Sequence, residues 1–201
     1  MSARRKEQLG DRSRLGTKSK GSPLAQRVLS AFAGLSGPRY FVDLAANHPT
    51  IGSSTFELEQ KGWHGLCIEP NPEYFSLLRR QRTCKVSTAA VDAVVRNVTF
   101  RFAGETGGIE DNRFDNRAGT RKDDVASDTL TTKTFQKVLR GSGAPAIIDY
   151  LNLDVEGAES SVLPSTFPWN EFVFLTLTIE RPPPDLNARL FSNGCVTASL
   201  L

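Results

Sequence analysis

Four acidic residues lie at or near the ends of apolar runs in this 201-residue sequence: Asp43, Glu69, Asp154 and Glu180. Carboxylates can accept hydrogen bonds from hydroxyl and amine groups and can move protons. The apolar runs are typical of buried parallel strands, whose carboxyl ends lie along one edge of a sheet. Open α/β sheets bind ligands at that edge, so the sequence predicts that the four carboxylates border one ligand site.

The stretch from Tyr40 to Thr55 predicts the centre of this site. A continuous apolar run over residues 40–45 indicates a strand covered on both faces, and a tight loop follows it. The pattern Ser54-Thr55-Phe56-Glu57 is typical of a capping box that begins a helix. The sequence therefore predicts a helix N-terminus facing a small ligand.

Strands and helices alternate along the rest of the chain, which predicts βαβ units with right-handed crossovers and a mostly parallel sheet. Residues 97–102 alternate apolar and polar side chains and predict an antiparallel or edge strand, whereas residues 104–124 read as a long loop. The predicted parallel strands cover residues 40–45, 64–69, 85–91, 147–155 and 172–179, and the predicted helices cover residues 23–33, 54–61, 71–82 and 134–140.

Composition and charge predict one domain over residues 23–201, preceded by a disordered basic leader over residues 1–22. The excess of Lys and Arg comes from the leader, and the slightly acidic remainder argues against nucleic-acid binding. No apolar run is long enough to span a membrane.

The three cysteines contain no CxxC pair, which argues against a structural zinc site. Cys67 and Cys84 are predicted near opposite ends of adjacent parallel strands, as unpaired core thiols. With Cys195 far away, a disulfide framework is not expected, and a reducing, cytoplasmic location is predicted.

Three segments, residues 41–47, 62–72 and 148–159, resemble the FkbM family of S-adenosylmethionine-dependent methyltransferases. They occur in the family's order, and the resemblance covers residues 40 to about 181. It implies a Rossmann-like, doubly wound α/β fold, with the methyl donor S-adenosylmethionine as cofactor. Two departures are Ala45, where the family's loop usually has Gly, and the end of the chain at Leu201, where the family normally continues into further strands.

The resemblance also implies roles for individual residues. Asp43 and the following loop are expected near the methionine part of the cofactor, Glu69 at the ribose, and the residues after strand three beside adenine. The residues expected to bind the cofactor are Asp43, Ala45, Asn47, Glu69, Pro70, Val91 and Asp92.

Members of the family are mostly associated with O-methylation, so the predicted reaction transfers a methyl group to a hydroxyl of a small molecule or sugar. Asp154 is the first candidate for the base, with Glu180 and His48 as further candidates. No metal site is assigned, although Asp154, Glu156 and Glu159 could together hold a divalent cation.

Two other functions stay open at this point. A nicotinamide-dependent oxidoreductase could also use an acid after strand two, but the sequence lacks G-x-G-x-x-G in the first loop. A non-catalytic binding module would fit Ala45 and the early end of the chain. That early end also predicts an exposed edge at strand five and self-association through it.

Overall fold

The computed structural model describes residues 22–114, 125–194 and 198–199. Its main sheet is parallel throughout, in the order β3-β2-β1-β7-β8-β9, and the order reverses between β1 and β7. This is the predicted doubly wound, Rossmann-like fold, with a ligand crevice expected at the reversal. The strands are β1 (Tyr40–Leu44), β2 (His64–Ile68), β3 (Lys85–Ser87), β7 (Ile147–Leu153), β8 (Val173–Ile179) and β9 (Ala198–Ser199).

In the described part of the chain, six helices cover the two faces of the sheet. Buried side chains of the first three pack in one cluster with Phe41 and Tyr150, and those of the last three pack in another with Val42 and Leu151. The helices are α1 (Pro23–Ala31), α2 (Phe56–Gln60), α3 (Pro72–Gln81), α4 (Phe135–Ser142), α5 (Glu159–Val162) and α6 (Pro184–Ser192).

The starts of the helices show where local pattern decides structure. The Asn71 side chain accepts a hydrogen bond from the Glu73 N–H at 3.0 Å, so the predicted cap of α3 is confirmed. The predicted capping box of α2 is wrong, because Thr55 is the N-cap and makes no side-chain cap hydrogen bond. The Glu57 carboxylate instead accepts hydrogen bonds from Ser22 and Gln26 of α1.

A second, antiparallel sheet packs at the carboxyl end of the main sheet. It contains β4 (Asn97–Arg101), β5 (Gly108–Ile109) and β6 (Ser127–Thr131). The antiparallel strand predicted at residues 97–102 is confirmed. The long loop predicted over residues 104–124 is wrong in its first part, which holds β5 and a 3₁₀ turn, while residues 115–124 lie outside the described residues.

Cys67 and Cys84 form a disulfide, which corrects the prediction of unpaired thiols. The predicted third strand was too long. β3 ends at Ser87, and Lys85 lies beside Leu66, so Cys84 lies next to the middle of β2. The Cα atoms are 6.1 Å apart, within disulfide range. The cytoplasmic expectation relied on unpaired cysteines and loses that support; Cys195 and residues 1–21 lie outside the described residues.

The strand predicted at residues 172–179 is present as β8, but only its second half buries the predicted apolar face. Leu177 and Ile179 are buried, whereas Val173 and Leu175 are 46% and 54% exposed. β9 pairs with Leu177 and Thr178, so the predicted open edge is covered over these two residues. Self-association through this edge stays a prediction. Within the described part of the chain, no helix combines the length and apolarity needed to cross a bilayer.

Candidate active site

A polar cavity of about 360 Å³ opens at the carboxyl edge of the sheet, where the strand order reverses. The 3₁₀ turn between β4 and β5 contributes Glu105 and Thr106 to its wall. The cavity brings together three of the four acids singled out in the sequence. Its other polar lining includes Asp43, Asn47, Asn152, Asp154, Glu156 and Glu180.

Asp43 is buried and holds the loop after β1 to the neighbouring strand. Its two carboxylate oxygens accept hydrogen bonds from the Thr55 hydroxyl at 2.5 Å and the Asn152 amide at 2.9 Å. Burial raises the pKa of Asp43, while these two hydrogen bonds and the charge of Arg82 act in the opposite direction. Asp43 therefore connects Thr55 on one side to Asn152 on the other, and this connection holds the cavity wall in place.

Arg82 is a fully buried cation beneath the loop. Its guanidinium pairs with Glu59 at 3.0 Å and also donates to the Pro49 carbonyl and to the hydroxyls of Ser53 and Thr55. Sequence reasoning treated Arg82 only as the end of a helix. The sequence does show an Arg after α3 and a Glu in α2 that could pair. Because 23 residues separate Arg82 from Glu59, no local pattern predicts this pairing.

Glu69 joins the loops that follow β1 and β2. One carboxylate oxygen accepts the Asn47 N–H at 2.9 Å, and the other accepts the Asn71 N–H at 2.7 Å. Burial is the largest influence on this group and raises its pKa to about 7, although the two hydrogen bonds act against it. Glu69 thus lies between the two loops, as its position after β2 predicted, but it is not among the residues lining the polar cavity.

Ala45 and Asn47 both adopt left-handed backbone conformations, with φ of 64° and 49°. The N–H groups of Ala45 and Ala46 both donate to the Ile68 carbonyl, which holds this turn against β2. A non-glycine residue in this region costs roughly 1 kcal/mol. Ala45 therefore takes the conformation expected of the family's Gly, at a cost in strain.

A narrow apolar cavity of about 50 Å³ lies beside the polar one, and Ala45 lines both. Phe100 and Ile109 of the small sheet cover it, and Pro70 and Val91 line it. Asp92 does not line it, since its carboxylate pairs with Arg96 at 2.6 Å and accepts the Ala93 N–H. Pro70 and Val91 thus line this cavity and the Asp92 side chain is used elsewhere, while the predicted contacts of all three with the cofactor stay predictions.

Asp154, Glu156 and Glu180 form a cluster whose nearest carboxylate oxygens all lie within 4.8 Å of one another. Burial raises the pKa of Asp154 to about 7, assisted by a hydrogen bond with Glu180 and by the negative charges around it. Arg181 pairs with Glu180 at 3.2 Å and with Glu156 at 3.7 Å. Asp154 is therefore a carboxyl group suited to proton exchange near neutral pH.

Glu159 does not join this cluster, although the sequence grouped it with Asp154 and Glu156 as a possible cation site. Its carboxylate accepts hydrogen bonds from the N–H groups of Gly157 and Val155 at 3.2 and 3.4 Å. The side chain is buried and stabilises the turn before α5. Among the described residues, Glu180 takes the third place in the cluster.

His48 lies in the loop after β1 but is not among the residues lining the polar cavity. Its Nδ1 accepts hydrogen bonds from the backbone N–H groups of Thr50 and Ile51 at 3.2 and 3.0 Å. The ring also meets Tyr74 edge to face. These contacts give His48 a role in shaping the loop, and its predicted part in proton transfer receives no support from its position.

Comparison with known proteins bears on the fold and the site together. A family model described as the methyltransferase FkbM domain matches residues 43–186, from the central acid of β1 into α6. No curated protein and no solved structure matches the chain significantly. The matched range contains all four strand-end acids and every described lining residue of the two cavities except Ser22 and Leu24. The chain therefore belongs to the FkbM methyltransferase family.

Proposed function

We propose that this methyltransferase binds S-adenosylmethionine along the carboxyl edge of the sheet and methylates a hydroxyl group of a small molecule or sugar. The observation that carries the proposal is that the two cavities share Ala45 as a lining residue, in the loop that Glu69 holds. A polar cavity next to an apolar one suits a cofactor with a charged amino-acid end and an aromatic base. In this arrangement the methionine part lies near Asp43 and Asn47.

The residues present fit the ribose and methionine parts of the cofactor. Each Glu69 oxygen accepts one backbone N–H and has a second acceptor position for a ribose hydroxyl, but Glu69 is buried and lines neither cavity, so the ribose reaches it only if the residues that cover it move. Asp43 and Asn47 line the cavity in which an amine and a carboxylate would lie. S-adenosylmethionine, when bound, supplies a methyl group on a positively charged sulfur.

The base end requires a local rearrangement. The apolar cavity measures about 50 Å³, whereas a cavity of roughly 150 Å³ is known to hold benzene. An adenine ring is larger than benzene, so Phe100 and Ile109 must move outward when the cofactor binds. We therefore expect the small sheet to shift on binding.

Asp154 is the proposed base for the acceptor hydroxyl. Its pKa of about 7 leaves a substantial fraction ionised at neutral pH, and that fraction can take the hydroxyl proton as the oxygen attacks. Glu180 adjusts the pKa of Asp154 and orients its carboxyl group. In-line transfer also depends on holding donor and acceptor near contact distance, which the cavity wall provides.

Calorimetry with S-adenosylhomocysteine and, separately, with NAD tests the cofactor. The proposal predicts binding of S-adenosylhomocysteine and none of NAD, and the opposite result would favour an oxidoreductase. Transfer of a radiolabelled methyl group to a panel of sugars and small alcohols, with thiol and amine analogues as controls, then tests O-methylation. Binding without transfer to any panel member would favour the non-catalytic binding module.

A further inference from the structure

A cleft of about 700 Å³ runs along β3, the last strand at one edge of the main sheet. Among the described residues, none lines both this cleft and the polar or the apolar cavity. Methyl transfer as proposed above makes no use of it. The cleft therefore calls for a separate explanation.

Two helices and the edge of the sheet form this cleft. Phe75 and Arg79 of α3 contribute one wall, and Lys137 and Val138 of α4 contribute the other. Val86 of β3 lies between them. The walls thus enclose the position that one further strand of the sheet would occupy.

The backbone of β3 can pair with such a strand. β3 pairs with β2 on one side, and among the described residues no strand pairs with it on the other. The Ser87 carbonyl accepts the Glu69 N–H at 2.8 Å, so Ser87 directs its backbone groups toward β2. Successive residues of a parallel strand direct these groups to opposite sides, which leaves those of Val86 facing the cleft.

The charged side chains along the cleft are all basic. Arg79, Lys85, Lys133 and Lys137 are exposed lining residues from α3, β3 and the segment through α4. No Asp or Glu occurs among the described residues that line it. The Lys85 ammonium also donates to the Ser142 carbonyl at 2.8 Å, which fixes its position at the mouth of the cleft.

We propose that the cleft binds an extended acidic segment of a partner protein, which adds to the sheet as a strand beside β3. Pairing with Val86 would supply backbone hydrogen bonds, and side chains alternating along the segment would face α3 and α4 in turn. Acidic side chains would meet the four cations, while apolar ones would cover the half-buried Phe75. A small inorganic anion would leave Phe75 uncovered.

Fluorescence anisotropy with a labelled hexapeptide of alternating Glu and Val tests the proposal. The account predicts binding that weakens as salt increases, with no binding of the matching Lys and Val peptide. A peptide N-methylated at its central residues keeps the charges but cannot pair with a strand, and it should bind at least about tenfold more weakly. Equal binding of the N-methylated peptide would overturn strand addition.

Charge-reversed variants locate the site. Arg79→Glu and Lys137→Glu should each weaken peptide binding by about tenfold or more. Arg80→Glu makes the same change on the neighbouring exposed residue of α3, outside the cleft, and should leave the affinity within about twofold. Circular dichroism confirms folding, and Arg79→Gln and Lys137→Gln provide milder versions. The proposal would be overturned if the peptide did not bind, whether or not inorganic triphosphate binds in its place. It would also be overturned if Arg79→Glu and Arg80→Glu weakened peptide binding equally.

Discussion

Two pairs of acids end strands along the same edge of the sheet, yet their surroundings differ. Asp43 and Glu69 each accept two hydrogen bonds, one on each oxygen, from groups that hold the loops around them. Asp154 and Glu180 instead face each other, and repulsion between them helps to raise the pKa of Asp154. The first pair is held by the loops, whereas Asp154 and Glu180 lie beside each other in the lining of the polar cavity.

The comparison shows that the groups around a strand-end acid decide its role: the hydrogen-bond donors that hold it, or the neighbouring acid that it faces. Its place in the sequence does not decide this. A carboxylate whose oxygens are held by fixed donors positions a ligand. A carboxylate beside another carboxylate has its pKa raised, which at Asp154 adds to the larger effect of burial. Each of the following variants changes only one of the two pairs of acids.

The largest effect is expected at Asp154. Asp154→Asn removes the proposed base and should lower the rate of methyl transfer by roughly 10²- to 10⁴-fold, with the cofactor affinity nearly unchanged. The rate should be measured at saturating cofactor with the acceptor found in the panel. Asp185→Asn, which removes an exposed acid on α6, is the matched control and should retain its activity. A rate within threefold of the unmodified protein would reject Asp154 as the base.

Asp43 should matter most for stability. Asp43→Ala leaves Thr55 and Asn152 without their acceptor and removes one of the two negative charges near Arg82, which keeps Glu59, at a cost of about 3 kcal/mol in the free energy of unfolding. Urea denaturation measures this value. Asp128→Ala changes an exposed acid of β6 and should cost less than about 0.5 kcal/mol. Equal costs for the two variants would contradict the structural role of Asp43.

Glu69 should make stability depend on pH. Its pKa rises from 4.5 in the unfolded chain to about 7 in the folded protein, so the folded state binds more protons between these values. The contribution of Glu69 is therefore fully present below pH 4.5 and is lost as the pH rises to about 7, by at most about 3 kcal/mol. Unfolding of the unmodified protein and of Glu69→Gln at pH 5 and pH 8 measures it. The same pH dependence in both proteins would show that Glu69 is not the cause.

A smaller effect is expected at Glu180, the acid that lies beside Asp154 in the second pair. Glu180→Gln removes one negative charge beside Asp154, so the pKa of Asp154 should move back toward its ordinary value. Carbon-13 NMR of labelled aspartate follows this titration directly. An unchanged Asp154 titration would mean that Glu180 does not contribute to its raised pKa.

The sequence was sufficient to predict the central sheet and the edge that carries the site. The continuous apolar run of β1 and the cap of α3 are local signals, and the positions of Asp43 and Glu69 follow from the rule for ligands at strand ends. The acids at the ends of β7 and β8 were placed by the same rule. These predictions succeeded because each depends on neighbours in sequence.

The features that sequence reasoning missed depend on distant partners. Arg82 pairs with Glu59 of another helix, and Cys84 meets Cys67 because the register of the sheet places Lys85 beside Leu66. The strand β5 has only two residues and lies in a Gly-rich segment without a periodic pattern. The exposure of Leu175 depends on which helices cover β8, and alternation within the strand cannot show that.

The most direct measurement compares S-adenosylhomocysteine binding by the unmodified protein, Glu69→Gln and Asp154→Asn in one calorimetric series at pH 8. The account predicts that the unmodified protein binds, that Glu69→Gln binds roughly ten- to a hundredfold more weakly, and that Asp154→Asn stays within about threefold. Circular dichroism of all three proteins excludes unfolding as the cause. Unchanged affinity in folded Glu69→Gln, or a loss confined to Asp154→Asn, would contradict the division of the four acids into a cofactor pair and a reactive pair.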